Sequence, residues 1–203
     1  MARILVISGS SRTGRELISQ GMERGHSMTA FVRDLGKVSA MPAAVTKVAG
    51  DALDAKAVAD AITGHDAVMI AIGDRKTFVS AATVRNAIAG MKAAGVKRIV
   101  VLSAYGTGDS AHGLYGFMIK RMGGKLNADK TEAERLLSES GLDWVSVRAP
   151  VLSEGRRTGR FKAATGVAIN AFRRLSRADL AAFMLDQVEG DAFLRQRPVI
   201  AAG

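Results

Sequence analysis

Short runs of apolar residues alternate with longer segments whose apolar positions recur at helical spacing along almost the whole chain. The short runs are rich in valine, isoleucine and alanine, which is typical of β-strands buried on both faces. They are Arg3–Ser8, Ser27–Val32, Thr46–Ala49, Ala67–Ala71, Lys97–Ser103, Trp144–Arg148 and Pro198–Ala201. Strands that alternate with helices in this way indicate an α/β fold with a parallel sheet.

Five of the intervening segments predict helices. They are Gly14–Arg24, Ala55–Ile62, Phe78–Ala94, Asn127–Ser140 and Arg177–Val188. Gly95 and Gly141 follow two of these segments, and glycine favours the turn just past a helix end. Ser176 and Asp179 have the spacing of a capping box at the start of the last helix. With 203 residues and no linker or repeat, the chain predicts a single domain over residues 1–203.

Two segments do not follow the alternation, and we expect them to form the walls of a substrate cleft. Residues 105–125 are rich in glycine and short polar residues, and they follow the carboxyl end of a central strand. Residues 153–175 are basic and contain several glycines. Ligands bind beyond the carboxyl ends of the strands in open parallel sheets. We therefore expect an irregular flap at 105–125 and a floor or lid at 153–175.

The first apolar run ends in a glycine-bounded turn, Gly9-Ser10-Ser11-Arg12-Thr13-Gly14, that leads into the first helix. Glycines let the backbone approach a phosphate closely, and the helix directs its free N–H groups and positive dipole end at that phosphate. The second apolar run ends at Arg33, where such a unit meets the adenosine ribose. Arginine suits a 2′-phosphate there, whereas an acid would favour a free 2′-hydroxyl. The pattern predicts a Rossmann-like, doubly wound domain that binds NADPH.

Several further segments resemble those of atypical short-chain dehydrogenases/reductases, in particular NmrA-like and biliverdin reductase B (flavin reductase)-like NAD(P)-binding proteins. Besides the glycine turn, the resemblance covers Phe31-Val32-Arg33-Asp34, Gly50-Asp51-Ala52, Ala71-Ile72-Gly73, Ser103-Ala104, Glu139–Trp144 and Arg148-Ala149-Pro150. These segments follow one another in the same order over nearly the full length of the chain. The resemblance implies a small NAD(P)H-binding domain.

On the adenosine side, the resemblance implies that the turn from Gly9 to Gly14 holds the pyrophosphate. Arg12 would reach toward the adenosine phosphate, and Arg33 would stack on adenine or pair with the 2′-phosphate. Asp51 and Ala52 would lie along the adenine edge, although Asp51 fits a simple turn residue equally well.

On the nicotinamide side, the resemblance implies that Ala71-Ile72-Gly73 lines the ribose. Arg75 lies just beyond as a further contact for an anion. Residues at the ends of two other strands would surround the nicotinamide and its carboxamide: Ser103, Ala104, Pro150 and Val151.

The tyrosine–lysine pair that short-chain dehydrogenases use as a proton donor is absent. Four residues beyond Tyr105 stands Asp109, and four beyond Tyr115 stands Ile119. This departure argues against ordinary alcohol or ketone chemistry. Hydride transfer to a flavin, quinone or linear tetrapyrrole needs mainly orientation, because the acceptor spreads the added charge over its own conjugated system.

We therefore expect an NADPH-dependent oxidoreductase that reduces a flat conjugated acceptor, with a flavin as one such substrate. The candidate catalytic residues are Ser103, Tyr105 and Lys130. The alternative is a non-catalytic NADP(H)-binding redox sensor of the NmrA type. With no cysteine and three scattered histidines, the sequence indicates no metal site.

The formal net charge of +10 leaves more than one interpretation open. From Arg148 to Arg177 eight lysines and arginines face a single acid, Glu154. Such a surface could bind nucleic acid, steer an anionic cofactor and substrate, or simply be solvated. Aromatic residues make up only 5% and do not alternate with the basic ones, which argues against nucleic acid. No leader or membrane-length apolar run is evident, so we expect a cytoplasmic monomer or small homo-oligomer.

Overall fold

The computed structural model of this protein describes residues 1–73, 78–110, 113–165 and 174–203. Side chains at 113–120, 122 and 123 are outside this description. The strands are β1 Arg3–Ile7, β2 Ser27–Val32, β3 Thr46–Ala49, β4 Ala67–Ile70, β5 Arg98–Ala104, β6 Asp143–Ala149, β7 Leu152–Ser153, β8 Phe161–Ala164, β9 Leu175–Ser176 and β10 Val199–Ala202. The helices are α1 Arg12–Glu23, α2 Ala55–Ile62, α3 Ser80–Ala94, α4 Gly113–Glu139 and α5 Arg177–Glu189, with a 3₁₀ helix at Leu35–Val38.

Eight of the strands form one sheet in the order β3-β2-β1-β4-β5-β6-β10-β8, and β7 pairs with β9. Neighbouring strands of the large sheet are parallel except for β8, which runs antiparallel to β10. The chain winds outward from β1 to β3 and then crosses back to β4 on the other side of β1. The predicted α/β, Rossmann-like doubly wound fold is confirmed, and its switch point lies between β1 and β4.

Helices cover both faces of this sheet because its central strands are apolar on both sides. In β1, Ile4 and Val6 belong to a core shared with α1 and α5, whereas Leu5 and Ile7 belong to a second core shared with α2, α3 and α4. All four side chains are fully buried. A strand buried on both faces gives the near-continuous apolar run seen in the sequence.

The prediction of an irregular segment over residues 105–125 is wrong in its second half. The helix α4 begins at Gly113 and continues to Glu139, although it is kinked at Gly124, whose angles are φ 33° and ψ −115°. Glycine and short polar residues lower helix propensity, but propensity is a weak guide where tertiary context favours the helix. The 105–110 loop, defined as residues Tyr105 to Ser110, is the part of this segment that stays irregular.

Residues 153–175 contain short strands that the sequence does not predict. The strands β7 and β9 pair at the two ends of the segment, and β8 forms the last strand of the large sheet. These strands have only two to four residues, which is too short for a periodic signal. Residues 166–173 of this segment lie outside the described residues.

The predicted cap at the start of α5 is present, but the Asp179 carboxylate binds backbone amides of another segment. Ser176 Oγ accepts a hydrogen bond from the Asp179 amide at 2.9 Å. The Asp179 carboxylate accepts from the amides of Thr158 and Gly159, both at 2.8 Å. Asp179 therefore fixes Thr158 and Gly159, which belong to the basic segment of residues 153–175, against the start of α5.

Two helical glycines allow close packing of different kinds. At Gly90 in α3, an added Cβ would lie 2.9 Å from the Cα atom of Ala59 in α2, which is backbone and cannot move aside easily. At Gly21 in α1, the three atoms nearest to an added Cβ all belong to the side chain of Met28, with its sulfur at 2.5 Å. A flexible methionine end can rotate away, whereas a neighbouring helix cannot.

We expect Gly90→Ala to lower the free energy of unfolding by about 1–3 kcal/mol, because α2 and α3 must separate. The matched control is Gly21→Ala, which gains helix propensity and should stay within about 1 kcal/mol of the wild type. Urea denaturation followed by circular dichroism measures both. Equal effects of the two substitutions would contradict the packing described here.

Candidate functional site

The turn between β1 and α1 is closed by glycines that leave no room for a side chain. An added Cβ on Gly14 would lie 2.4 Å from the Ser8 carbonyl oxygen and 2.9 Å from the Cα of Gly9. An added Cβ on Gly9 would lie 2.9 Å from the Cβ of Ala30 in β2. The backbone of this turn therefore packs directly on itself and on β2, and α1 starts at the carboxyl edge of the sheet.

The start of α1 exposes amides that the rest of the turn does not use. Ser11 caps the helix, since its Oγ accepts from the Gly14 amide at 3.0 Å and donates to the Ala71 carbonyl at 3.1 Å. Within the described residues, the amides of Ser10, Arg12 and Thr13 have no hydrogen-bond partner. Free amides at a helix N-terminus form an anion-binding site.

Arg12 lies at this turn and is paired with an acid of the basic segment. Its guanidinium donates to Glu154 Oε1 at 3.0 Å, and Arg177 at the start of α5 donates to the same oxygen at 2.6 Å. The Arg12 side chain is 73% exposed, whereas that of Arg177 is 14% exposed. An exposed ion pair of this kind contributes little to stability, so Arg12 can exchange Glu154 for another anion.

Arg33 and Asp51 follow the ends of two neighbouring strands beside the turn. The Gly9 amide donates to the Phe31 carbonyl at 3.3 Å, so Arg33 follows β2 immediately next to the glycine turn. Arg33 is exposed, and its side chain has no ion-pair partner in the described part of the chain. Asp51 Oδ1 accepts from the Leu53 amide at 3.0 Å, which is the geometry of a simple turn residue.

The residues after β4 complete this side of the cleft. Ala71 and Ile72 are buried, and an added Cβ on Gly73 would meet no atom within 4 Å. Ala52, which follows β3, is held through its carbonyl by the Asn86 side chain at 3.0 Å. Arg75 lies outside the described residues.

A group of buried polar side chains, not predicted from the sequence, surrounds Ser103 at the end of β5. We call it the buried charge cluster. The Glu134 carboxylate of α4 is its centre, and it accepts hydrogen bonds through Oε1 from Ser103 Oγ at 2.8 Å and Ser146 Oγ at 3.1 Å. Arg148 donates to both carboxylate oxygens, at 3.1 and 2.7 Å. Its buried members are Ser103, Glu134, Ser146 and Arg148. The exposed Asp109 and the partly exposed Arg197 pair with it from the solvent side.

Charged residues at core positions were the available signal for this cluster. Arg148 alternates with the apolar residues Val147 and Ala149 in the buried strand β6, and Glu134 lies between Ala133 and Leu137, which are buried in the second core. Such residues are rarely buried unless they are paired. Pairing across the fold is not visible in local sequence, because the partners lie on different elements.

Lys130 is one helical turn before Glu134 and is also buried. Its Nζ donates to the carbonyls of Leu102 at 3.0 Å and Ile72 at 3.3 Å, so it connects the ends of β5 and β4. Burial lowers the pKa of Lys130 from 10.5 to about 8, although Asp129 and Glu134 act in the opposite direction. A lysine with such a pKa can hold or release a proton near neutral pH.

The other predicted nicotinamide-side residues lie at the ends of β5 and β6. Tyr105 is buried, and its amide donates to the Ala149 carbonyl at 2.8 Å. Ala104 and Pro150 are partly exposed, and Val151 is exposed. The side chain of Tyr115 is outside the described residues.

The exposed large apolar side chains of the described residues are concentrated at the same edge. Apart from Met1, they are Leu35, Leu53, Phe78 and Val151. The first two follow β2 and β3, Phe78 precedes α3 after β4, and Val151 follows β6. Because these segments follow the carboxyl ends of parallel strands, the exposed apolar groups lie along the edge at which ligands bind in open parallel sheets.

The described residues hold no group of three or more side chains suited to bind a metal ion. None of the helices found in those residues has both the length and the apolarity needed to cross a bilayer.

Comparison with known proteins gives matches over most of the chain. The model of a family described as NAD(P)H-binding matches residues 9–191. An uncharacterized protein of Mycobacterium tuberculosis is 26% identical over 152 residues, which are 74% of this chain. The matched part of this chain spans only 15% of the length of that relative.

Solved structures show the same fold over nearly the full chain. ChuY, an anaerobillin reductase of Escherichia coli O157:H7, is 22% identical with a TM-score of 0.85, covering 98% of this chain and 97% of that one. A short-chain dehydrogenase/reductase of Veillonella parvula in complex with NADP is 14% identical with a TM-score of 0.82, covering 99% and 95%. At these identities the likeness establishes the fold alone.

The lowered pKa of Lys130 has a measurable consequence for stability. Between pH 8 and 10.5 the folded chain has released this proton and the unfolded chain has kept it, so the unfolded state binds more protons and stability rises with pH. Across that pH window the free energy of unfolding of the wild type should therefore rise by up to about 3 kcal/mol relative to that of Lys130→Met. Denaturation at a series of pH values measures the difference, with exposed Lys92→Met as the control. A difference that stays constant with pH would contradict the burial of a charged Lys130.

Proposed function

Because the chain belongs to the family of NAD(P)H-binding proteins, we propose that it is a reductase that uses NADPH to reduce a flat conjugated acceptor. The acceptor class comprises flavins, quinones and linear tetrapyrroles. The observation that carries the proposal is the set of amides at Ser10, Arg12 and Thr13 that have no partner within the described ranges, next to glycines that admit no Cβ. This arrangement fits a pyrophosphate at the switch point of a parallel sheet.

The remaining cofactor contacts follow from the positions of residues around the turn. Ala71 to Gly73 provide the open backbone for the nicotinamide ribose, since Gly73 has free space beside its Cα. Arg12 would exchange Glu154 for a phosphate of the cofactor. Asp51 and Ala52 would lie beside the adenine, and Ala104, Pro150 and Val151 would lie beside the nicotinamide.

Arg33 supports NADPH as the preferred cofactor. It is exposed beside the glycine turn, and its guanidinium has no ion-pair partner in the described residues. A guanidinium binds a phosphate through two parallel hydrogen bonds and cannot lose its charge. The ribose 2′-phosphate is the group that distinguishes NADPH from NADH, so Arg33 would favour NADPH by binding this phosphate.

The hydrogen bonds of Ser103 and Lys130 favour different roles for these two residues. The Glu134 carboxylate can only accept a hydrogen bond, so the Ser103 hydroxyl donates its hydrogen to Glu134. Towards a ligand, Ser103 would then act as an acceptor through its lone pairs. Lys130 has three N–H groups, and two donate to Ile72 and Leu102. Its third N–H is left for a ligand, and with a pKa of about 8 Lys130 would hold the proton needed by the reduced acceptor. Tyr105 would contact the acceptor from the 105–110 loop.

The acceptor class rests on what the site provides. NADPH supplies the hydride when bound, and the chain must orient the acceptor and exclude water. The apolar side chains at the cleft edge suit a flat conjugated molecule, and the basic segment suits its carboxylates or phosphate. The structurally similar ChuY is an anaerobillin reductase, which agrees with this class.

We expect Arg33→Asp to remove or reverse the preference for NADPH over NADH. Loss of the charge-assisted contact should weaken NADPH binding by roughly tenfold to a hundredfold, while NADH binding stays similar or improves. Fluorescence titration with both cofactors measures the ratio of the two affinities. The control is Lys92→Ala, near the end of α3 at the opposite edge of the sheet. An unchanged ratio in Arg33→Asp would remove Arg33 from the site.

Purified protein mixed with NADPH should consume it only when a suitable acceptor is added. FMN, riboflavin, menadione and biliverdin form the test panel, and the decrease in NADPH absorbance is the measurement. Acceptor-dependent consumption above the protein-free rate supports the reductase. Tight NADPH binding without consumption across the panel would favour the second candidate, an NmrA-type redox sensor. That candidate is favoured by the missing tyrosine–lysine pair and by the Ser103 hydrogen already donated to Glu134.

A further inference from the structure

We propose that Arg148 is a positioning residue, which holds the 105–110 loop against the carboxyl end of β5 through Asp109 and so shapes the wall that receives the acceptor. The inference deepens the proposed function, because it concerns the acceptor side of the same cleft. It rests on the geometry of the buried charge cluster and of the loop that covers it.

Arg148 is fixed on its inner side before it reaches the loop. Its Nε and one terminal nitrogen donate to the two oxygens of Glu134, and its side chain is only 6% exposed. Arg197 adds a second guanidinium, with its Nε 3.5 Å from Glu134 Oε2. Ser103 and Ser146 complete the hydrogen bonds to the carboxylate. With its partners fixed in this way, the guanidinium has one defined orientation.

The third nitrogen of the Arg148 guanidinium binds the loop. Its other terminal nitrogen donates to Asp109 Oδ1 at 2.6 Å, although the Asp109 side chain is 89% exposed. This hydrogen bond lowers the pKa of Asp109 below its usual value. Asp109 therefore covers a buried cation from the solvent side.

The loop backbone is shaped to fit over the guanidinium. Gly108 has a left-handed φ of 57°, and an added Cβ would lie 2.9 Å from a terminal nitrogen of Arg148. The Gly108 amide donates to Thr131 Oγ1 of α4 at 3.2 Å, and the Gly106 amide donates to Ser110 Oγ at 2.8 Å. The hydrogen bonds to Thr131 and Ser110 thus fold the loop compactly over the Arg148 guanidinium.

A buried ion pair is a poor source of stability, because desolvation offsets most of the attraction between its charges. The clearest effect of the Arg148 ion pairs is to fix the position of the loop. In the register of the sheet, Ser103 lies opposite Arg148 and Ala104 lies opposite Ala149, so the cluster connects the predicted nicotinamide contacts to the loop beyond them. Removing Asp109 should free the loop and leave the glycine turn unchanged.

The experiment compares the 203-residue wild type with Asp109→Ala, Asp109→Asn and the control Glu132→Gln. Glu132 pairs with Arg135 and Arg85 on α4 and α3, and within the described residues it makes no hydrogen bond to the loop. We expect Asp109→Ala to speed amide hydrogen exchange at Gly106 and Gly108 at least tenfold and to raise the KM for the acceptor at least fivefold. The Kd for NADPH should stay within twofold. Asp109→Asn keeps a weaker hydrogen bond, so its exchange rates and its KM for the acceptor should lie between those of the wild type and Asp109→Ala. Glu132→Gln should match the wild type in both.

Unchanged exchange in Asp109→Ala would overturn the proposal, whatever the activity. Faster exchange with unchanged kcat and KM in an active protein would overturn the positioning role and leave the reductase function intact. A wild type that binds NADPH and reduces no acceptor would overturn the reductase function, and hydrogen exchange alone would then decide whether Arg148 holds the loop.

Discussion

The close contact of backbone with backbone where β1 turns into α1 is the constraint on which the site depends. Gly14 lies so near the Ser8 carbonyl that any side chain there would displace the helix from the sheet. The tight turn leaves the amides of Ser10, Arg12 and Thr13 without a hydrogen-bond partner among the residues that the structure describes, where the chain passes from β1 into α1. Both apolar cores lie behind this edge and make it rigid. In the proposed cofactor complex the pyrophosphate would meet amides that are already in place, which reduces the entropic cost of binding.

The opposite half of the cleft is built with charged side chains inside the fold. Glu134 and Arg148 lie beneath the ends of β5 and β6, and Lys130 connects β5 to β4 one helical turn away. Each of these groups would be costly alone, but their hydrogen bonds satisfy one another and the strand carbonyls. The cleft thus has a backbone half suited to phosphate and a side-chain half suited to orienting a second ligand. This division agrees with a reductase whose cofactor brings the reactive group.

The sequence predicted the features whose signal is local. The glycine turn, the alternation of strands and helices, and the position of Arg33 after β2 all depend on neighbours within about ten residues, so the pattern along the chain is enough. The buried charge cluster joins residues from β5, α4 and β6, and the hydrogen bond from Ser103 to Glu134 spans 31 positions. No spacing rule indicates such a pair. The start of α4 was missed for a different reason, because its glycines suggest a loop and only tertiary context makes them helical.

Titration calorimetry with NADPH on the wild-type protein tests the central claim most directly, since it requires neither an acceptor nor turnover. The account predicts saturable heat with one site per chain, and lower affinity for NADH than for NADPH. Absence of heat with reduced and oxidised forms of both cofactors, at two temperatures, would contradict the assignment of the glycine turn as a dinucleotide site.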